Sequence, residues 1–275
     1  ARTMTKTLTK IALLGLPLAT SLSTSLAAPL VSIGDSVDLF FLGSVSGQYR
    51  SNVFNNPLKA DDYLGILSPG VELSIGRNSN ANIKIVFRED FYLYNEFTSQ
   101  NTNLSNVFMD GIYNSGPFAG SAGFSYVQRQ QNTASTAGIP GTNANQVRRD
   151  LYNAYIGGDY DFSPKTYGDL TVRWRRVDYT NNQDFGNSYS DRDSITTPLN
   201  VYYRYSPKLG IGGGYRFRYT DVDDNSNTSV TSSNNPGDYS DHFFSLAVDG
   251  ELAPKLTTKL NVGAQMRDYS NDQLG

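Results

Sequence analysis

The fold of this chain can be inferred from one stretch, SPKLGIGGGYRFRYT, which covers residues 206–220. After the turn Ser206-Pro207-Lys208, apolar and aromatic residues at every second position alternate with glycine and arginine. A period of two predicts an extended strand with one apolar face and one polar face. The segment therefore predicts a strand that lies between an apolar environment and an aqueous one.

The same turn recurs at Ser163-Pro164-Lys165 and at Ala253-Pro254-Lys255, with spacings of 43 and 47 residues. The run from Leu256 to Met266 alternates in the same way. Strands joined by short turns on one side and by long polar loops on the other are typical of barrels that span the outer membrane. We therefore predict an all-β fold, an antiparallel up-and-down transmembrane β-barrel.

Composition agrees with this prediction and excludes other classes. The hydrophobic fraction of 38% and the mean hydropathy of −0.43 exclude a helical membrane protein. The 19 tyrosines and 14 phenylalanines favour strands and membrane interfaces. A net charge of −3 gives no basic footprint for nucleic acid, and the absence of cysteine removes disulfides and thiol metal sites. We expect no cofactor and no metal.

The N-terminal segment has the pattern of a secretory signal peptide over residues 1–27. Lys6 and Lys10 form a basic region, residues 11–19 are apolar, and Ser25-Leu26-Ala27 offers a cleavage site. Residues 1–3 precede Met4 and carry no fold information. Residues 28–275 are then one outer-membrane β-barrel domain, exported through the periplasm of a bacterium after cleavage near Ala27.

Alternation predicts about eleven strands, and the connections between them alternate in length. Short connections lie near residues 77–80, 114–117, 162–166, 206–208 and 253–255, and long ones near 51–62, 95–103, 130–148, 180–194 and 221–240. With the N-terminus in the periplasm, every odd strand ends at a long external loop, including the eleventh. Bacterial barrels have even strand numbers, so we expect at least one further strand to be missing at the C-terminus.

The segment Tyr49-Arg50-Ser51-Asn52-Val53-Phe54 follows the first strand and leads to Leu67-Ser68-Pro69-Gly70-Val71. This arrangement resembles the outer-membrane β-barrel porins of the "porin 2" family, over roughly residues 35–95. In that family a tyrosine, an asparagine and an aliphatic-aromatic pair follow strand one. The resemblance implies an outer-membrane barrel, with some members near exopolysaccharide export systems, and it implies no substrate.

Alternation places a set of arginines on the polar faces of the strands, mostly towards their outer ends. If these faces line the lumen, the arginines form a basic zone that favours anionic solutes. The alternative is that they pair with neighbouring carboxylates and have only a structural role. The predicted lumen-lining set is Arg88, Arg129, Arg173, Arg175, Arg216, Arg218 and Arg267.

A second set of residues, all aromatic, fits the girdles that barrels place at membrane interfaces. This set is Tyr49, Trp174, Tyr203, Tyr205 and Tyr219. The alternative role for aromatics is a sugar-stacking track inside the lumen, for which the inward candidates are Tyr92, Tyr94, Tyr155 and Tyr202.

Catalytic chemistry is poorly represented. His242 is the only histidine and has Asp241 as a neighbour, and a surface histidine is the simpler interpretation. Asp221-Val222-Asp223-Asp224-Asn225 offers oxygen ligands without the spacing of a calcium loop, so a solvated acidic loop is favoured. We predict that the chain is not an enzyme.

The expected function is a porin-like channel for passive diffusion of small hydrophilic solutes, anionic ones among them. An accessory barrel of a surface-polysaccharide export system is the first alternative, and an outer-membrane hydrolase is the second. The expected partners are outer-membrane lipid, lipopolysaccharide and small solutes, with no nucleic acid. The sequence leaves open whether the protein is a homo-oligomer.

Overall fold

The architecture comes from a computed structural model, which describes residues 20–23, 29–54, 59–77, 79–132, 146–180, 189–223, 237–253 and 256–270. Nearly all of this part is antiparallel β-sheet, and it contains no α-helix. A single 3-10 turn covers Thr98–Gln100. The predicted all-β class is confirmed.

In the described residues, two short strands precede eleven long ones. The short strands are β1 (Thr20–Ser23) and β2 (Val31–Ile33). The long strands are β3 (Val37–Arg50), β4 (Asp62–Ile75), β5 (Ala81–Tyr94), β6 (Thr102–Ser115), β7 (Phe118–Asn132), β8 (Gln146–Ser163), β9 (Thr166–Tyr179), β10 (Arg192–Ser206), β11 (Leu209–Val222), β12 (Tyr239–Ala253) and β13 (Leu256–Tyr269). The eleven predicted strands are therefore present.

Each long strand pairs with the next one in the chain, which is the predicted up-and-down order. Both β1 and β2 lie antiparallel to β3, where Thr20–Ser23 pairs with residues 44–47. Within the described residues β3 and β13 do not pair, so this barrel-like sheet is open. Most of the predicted signal peptide, and most of the predicted loop at 130–148, lie outside the described residues.

The repeated Pro-Lys turns are real two-residue hairpin connections at 164–165 and 207–208. Ser163 Oγ accepts the backbone N–H groups of Lys165 and Thr166 at 3.2 and 3.0 Å. A register shift precedes each Pro-Lys pair, between Asp161 and Ser163, Arg204 and Ser206, and Glu251 and Ala253. Such β-bulges bend a strand where it enters a tight turn, and the repeat is therefore structural. Pro254 and Lys255 themselves lie outside the described residues.

The two faces of the sheet have opposite polarity. On one face, which we call the apolar face, large side chains remain strongly exposed: Leu246 is 75% exposed, Val262 63% and Val45 60%. The other, polar, face contains the buried Asp90, Asn106 and Asp241, which are only 5%, 1% and 1% exposed. A soluble sheet buries its apolar face against another layer. Here large apolar side chains of one face remain exposed instead.

Candidate functional site

The polar face carries every arginine of the predicted lumen-lining set. Cross-strand pairing puts Arg173 opposite Thr196 and Thr196 opposite Arg218, and all side chains in such a row share one face. By the same register, the face holds Arg88, Arg129, Arg173, Arg175, Arg216, Arg218 and Arg267. The positions agree with the sequence pattern, and a role in ion selectivity stays a prediction.

Three of these arginines form ion pairs. The Nε atom of Arg88 lies 2.9 Å from Asp90 Oδ1. Arg218 Nε donates to Asp241 Oδ2 at 2.8 Å, and Arg267 Nε donates to Asp241 Oδ1 at 2.6 Å. Arg88, Arg218 and Arg267 therefore pair with neighbouring carboxylates, and whether their role is only structural stays open.

The other four arginines are different. Arg216 lies over the ring of Phe243, with its guanidinium carbon 4.7 Å from the ring centroid. Within the described part of the chain, Arg129, Arg173 and Arg175 form no ion pair and no hydrogen bond, and all three are exposed. These three cations are the ones available to a dissolved anion.

A cavity of about 310 Å³ lies on the polar face beside Arg173. It is lined by side chains of β6, β7, β8 and β9, among them Asp110, Ser125, Asn153 and Tyr155. The Tyr155 hydroxyl donates to Asp110 Oδ1 at 3.0 Å, although β7 runs between their two strands. The sequence pattern identified Tyr155 and Arg173 separately, and it could not show that they share a cavity with Asp110.

A second constellation, nearer the Pro-Lys turns, was missed from the sequence. The rings of Tyr167 and Tyr202 stack with centroids 4.9 Å apart, and the guanidinium of Arg204 lies 4.5 Å above Tyr167. Arg204 also pairs with Asp161 at 2.5 Å. Tyr167 and Arg204, together with Asp159 and Asp161, border a cleft of about 530 Å³. Tyr202 was the one member proposed as an inward aromatic.

Three glycines on β11 make this ladder of side chains possible. A Cβ at Gly212 would lie 2.5 Å from the Tyr202 ring, one at Gly210 2.6 Å from the Tyr167 hydroxyl, and one at Gly214 2.2 Å from Asn200 Oδ1. Side chains of β9 and β10 thus lie flat across the bare backbone of β11. The signal in the sequence was glycine at every second position, at 210, 212 and 214. An ordinary polar face has no need of glycine at successive positions.

The segment after β3, which carries the porin-like motif, packs onto the polar face. Val53 is 2% exposed and clusters with Leu64 and Tyr94, and Phe54 meets Phe97 edge-on at 4.8 Å. Asp62 fixes the neighbouring connection because its carboxylate accepts the backbone N–H groups of Glu96 and Phe97. The motif therefore anchors the β3–β4 connection through apolar contacts. The signal in the sequence was Leu64, an apolar residue at a position of the polar face.

All five predicted interface aromatics lie on the apolar face. Tyr49 and Tyr219 are near the ends of strands that lead to long connections, while Tyr203 and Tyr205 are near the Pro-Lys turn. Trp174 donates its indole N–H to Asp193 Oδ1 at 3.0 Å. An apolar ring with a polar tip suits a membrane interface. Their role as girdles stays a prediction.

His242 does not face Asp241. The two residues are adjacent on β12, so their side chains point to opposite faces. His242 Nδ1 lies 2.8 Å from the Tyr215 hydroxyl on the apolar face, whereas Asp241 is held by two arginines on the polar face. The two neighbouring residues therefore do not pair with each other.

The acidic connection near residue 221 has no metal-binding geometry in its described part. No group of three or more His, Cys, Asp or Glu side chains among the described residues is placed to hold a metal ion. Asp224 and Asn225 lie outside those residues. In the neighbouring β9–β10 connection, burial raises the pKa of Asp191. The hydrogen bond from the Tyr179 backbone N–H lowers this pKa, whereas repulsion by the carboxylates of Asp178 and Asp223 raises it further.

No family model, curated protein or solved structure matches this chain. The resemblance to the "porin 2" family therefore stays a prediction. None of the helices in the described part of the chain is long and apolar enough to cross a membrane.

Proposed function

We propose that this chain forms a channel in the bacterial outer membrane, through which small hydrophilic solutes diffuse passively. The observation that supports this function is the reversed polarity of the sheet. Its apolar face is strongly exposed at Val45, Leu246 and Val262, whereas buried polar groups such as Asp241 belong to the other face. Lipid is the environment that covers an apolar outer face, and a water-filled lumen suits a polar inner one.

The proposed channel prefers anions. Asp90 pairs with Arg88, and Asp241 is shared by Arg218 and Arg267, whereas Arg129, Arg173 and Arg175 form no ion pair in the described residues of the polar face. Around the cavity beside Arg173, the two unpaired arginines of the described residues, Arg173 and Arg175, outnumber the one unpaired carboxylate, Asp110. An excess of fixed charge of one sign at a lumen wall raises the local concentration of the opposite ion. The preference should weaken with ionic strength, since exposed charges are screened within about 8 Å at physiological salt.

Recording from planar bilayers tests both statements. We expect steady single-channel conductance and, under a KCl gradient, a reversal potential of the sign given by chloride permeation. Absence of conductance would refute the channel, and a potential of the opposite sign would refute the anion preference. Outer-membrane fractionation and heat-modifiable migration in gels check the location and the barrel independently.

A second candidate is an accessory barrel of a surface-polysaccharide export system with a closed lumen. One observation favours it: Val53 and Phe54 pack onto the polar face, and an inward-folded connection narrows that side of a barrel. A closed barrel gives no steady current, so the same recordings separate the two candidates. Deleting residues 53–58 should leave the conductance of an open channel in place and should create a conductance in a closed one.

A further inference from the structure

The cavity beside Arg173 is built by an unusual crossing of side chains. Tyr155 on β8 reaches over β7 to Asp110 on β6, and its hydroxyl donates to the carboxylate at 3.0 Å. A Cβ at Gly123 of β7 would lie 2.3 Å from the Tyr155 ring and 2.9 Å from Asp110 Oδ1. The crossing therefore requires glycine at this position. It closes one side of the cavity of about 310 Å³.

The cavity combines cations, an acceptor and neutral donors. Arg173 lines it, and Arg175 stands two residues further along the same face of β9, about 7 Å away. Their cross-strand partners on β8 are Tyr155 and Asn153. The amide of Asn153 donates to Ser125 Oγ at 3.2 Å, which fixes its orientation.

Asp110 retains acceptor capacity. Its only hydrogen bond within the described residues comes from Tyr155. The neighbouring cation, Lys84, is occupied because its Nζ atom lies 2.8 Å from Glu72 Oε2. A carboxylate has about four lone-pair positions, so Asp110 can accept further hydrogen bonds from a bound molecule.

We propose that this cavity binds a small polyhydroxylated carboxylate, a sugar acid, during its passage through the channel. The inference rests on the proposed channel, since it assigns the cavity to a solute in transit. The guanidinium groups of Arg173 and Arg175 hold the carboxylate, and Asp110 and Asn153 bond the hydroxyl groups. Phe108, also in the cavity wall, offers an apolar surface to the C–H face of the sugar ring.

The donor set discriminates between related solutes. A neutral sugar engages Asp110 and Asn153 but leaves two cations without a counter-charge. A simple carboxylate such as acetate engages the arginines but makes no use of Asp110, which then repels it. Only a molecule with both features uses the full set, and leaving either half unmatched lowers the affinity.

Calorimetric titration of the full chain, folded in detergent, tests the site directly. The probes are D-galacturonate, D-galactose and acetate. We expect the tightest binding for galacturonate and at least about tenfold weaker binding for each of the others, as for the loss of one charged hydrogen bond. Equal binding of acetate and galacturonate, or no binding of galacturonate, would overturn the proposal.

Two variants with the same charge change separate a site from a general basic field. Arg173→Gln should weaken galacturonate binding at least about tenfold. Arg129→Gln removes an equally unpaired arginine of the polar face outside the cavity, and galacturonate affinity should not change. Equal losses in both variants would show that overall charge, and not this cavity, binds the solute.

Asp110→Asn tests the recognition of hydroxyl groups. Because this variant removes the repulsion of simple carboxylates, acetate should bind more tightly and the preference for galacturonate over acetate should shrink. An unchanged preference would contradict the role given to Asp110.

Single-channel recording distinguishes this inference from the proposed function. We expect galacturonate to reduce the current at lower concentrations than galactose does. A conducting wild-type protein that binds no galacturonate would remove the site and leave the channel. A protein that binds galacturonate in the calorimeter but gives no conductance would leave the site and remove the channel.

Discussion

The polar faces of β9, β10 and β11 differ between their two halves. Towards the Pro-Lys turns, Tyr167 and Tyr202 lie stacked across bare glycines. Arg204 lies over the Tyr167 ring and is fixed by a carboxylate and two carbonyl groups. Towards the long connections, Arg173 and Arg175 protrude without a partner in the described residues. The sequence pattern in both halves is the same alternation. Alternation thus assigns a residue to a face, whereas its neighbours across the strands decide whether it packs or stays available.

The glycines of the packed half give the largest expected effect. Gly212→Ala puts a methyl group 2.4 Å from the Val201 carbonyl oxygen and 2.5 Å from the Tyr202 ring. Because backbone cannot move aside cheaply, we expect a loss of about 3 kcal/mol in the free energy of unfolding. Urea unfolding followed by Trp174 fluorescence measures it.

The neighbouring glycine is the matched control for this prediction. Gly213→Ala points to the apolar face, where the nearest atom is 3.6 Å away, and should be neutral within about 0.5 kcal/mol. Equal losses for the two variants would mean that the ladder of side chains is not what requires glycine.

Asp241 gives the next largest effect, in the half that carries the free cations. Asp241→Asn leaves Arg218 and Arg267 without their shared carboxylate, which is 1% exposed. The two arginines remain about one-third exposed, so water screens part of the loss and we expect about 2 kcal/mol.

Asp241→Asn also tests whether this half of the polar face affects the anion selectivity of the channel. It removes one negative charge and leaves both Arg218 and Arg267 without a carboxylate partner, and chloride preference in bilayers should therefore increase. A stability loss without a change in reversal potential would place Arg218 and Arg267 away from the ion path.

Arg204→Gln is the smaller test of the packed half. It removes the contact with the Tyr167 ring at 4.5 Å and the ion pair with Asp161. Both are partly exposed, and we expect a loss of about 1 kcal/mol in unfolding free energy. Arg204→Lys keeps the charge but not the planar stack, and it should recover only part of the loss.

Arg173→Gln completes the comparison with the smallest effect on stability. The same substitution in the unpacked half removes no ion pair or hydrogen bond, and unfolding should change by less than about 0.5 kcal/mol. Equal destabilisation by Arg173→Gln and Arg204→Gln would remove the distinction between the two halves.

Sequence periodicity was sufficient for the strands, the turns and the assignment of residues to faces. Periodicity was sufficient because a shift of one residue in register would move every side chain to the other face. The alternation along β11 therefore assigns Arg216 to the polar face and Tyr215 to the apolar face. The same rule implies that the side chains of His242 and Asp241, which are adjacent in the strand, point to opposite faces and cannot contact each other.

The candidate site depended on contacts that skip a strand, and periodicity carries no information about them. Tyr155 meets Asp110 across β7 only because residue 123 is glycine, and Tyr167 reaches β11 only because residue 210 is glycine. The packing of Val53 and Phe54 onto the polar face was hidden for a similar reason. Their partners, Leu64 and Tyr94, lie on two other strands at polar-face positions.

The bulge before each Pro-Lys turn has a consequence for how such a sheet can evolve. Between two successive Pro-Lys turns lie two antiparallel strands and the long connection that joins them, as with β9 and β10. A bulge of the same kind precedes the turn at each end of this unit. Duplicating or deleting such a unit changes the width of the sheet by two strands and leaves the orientation of all the others unchanged. Gene duplication thus resizes such a sheet in even steps, with every existing loop still displayed on its original side.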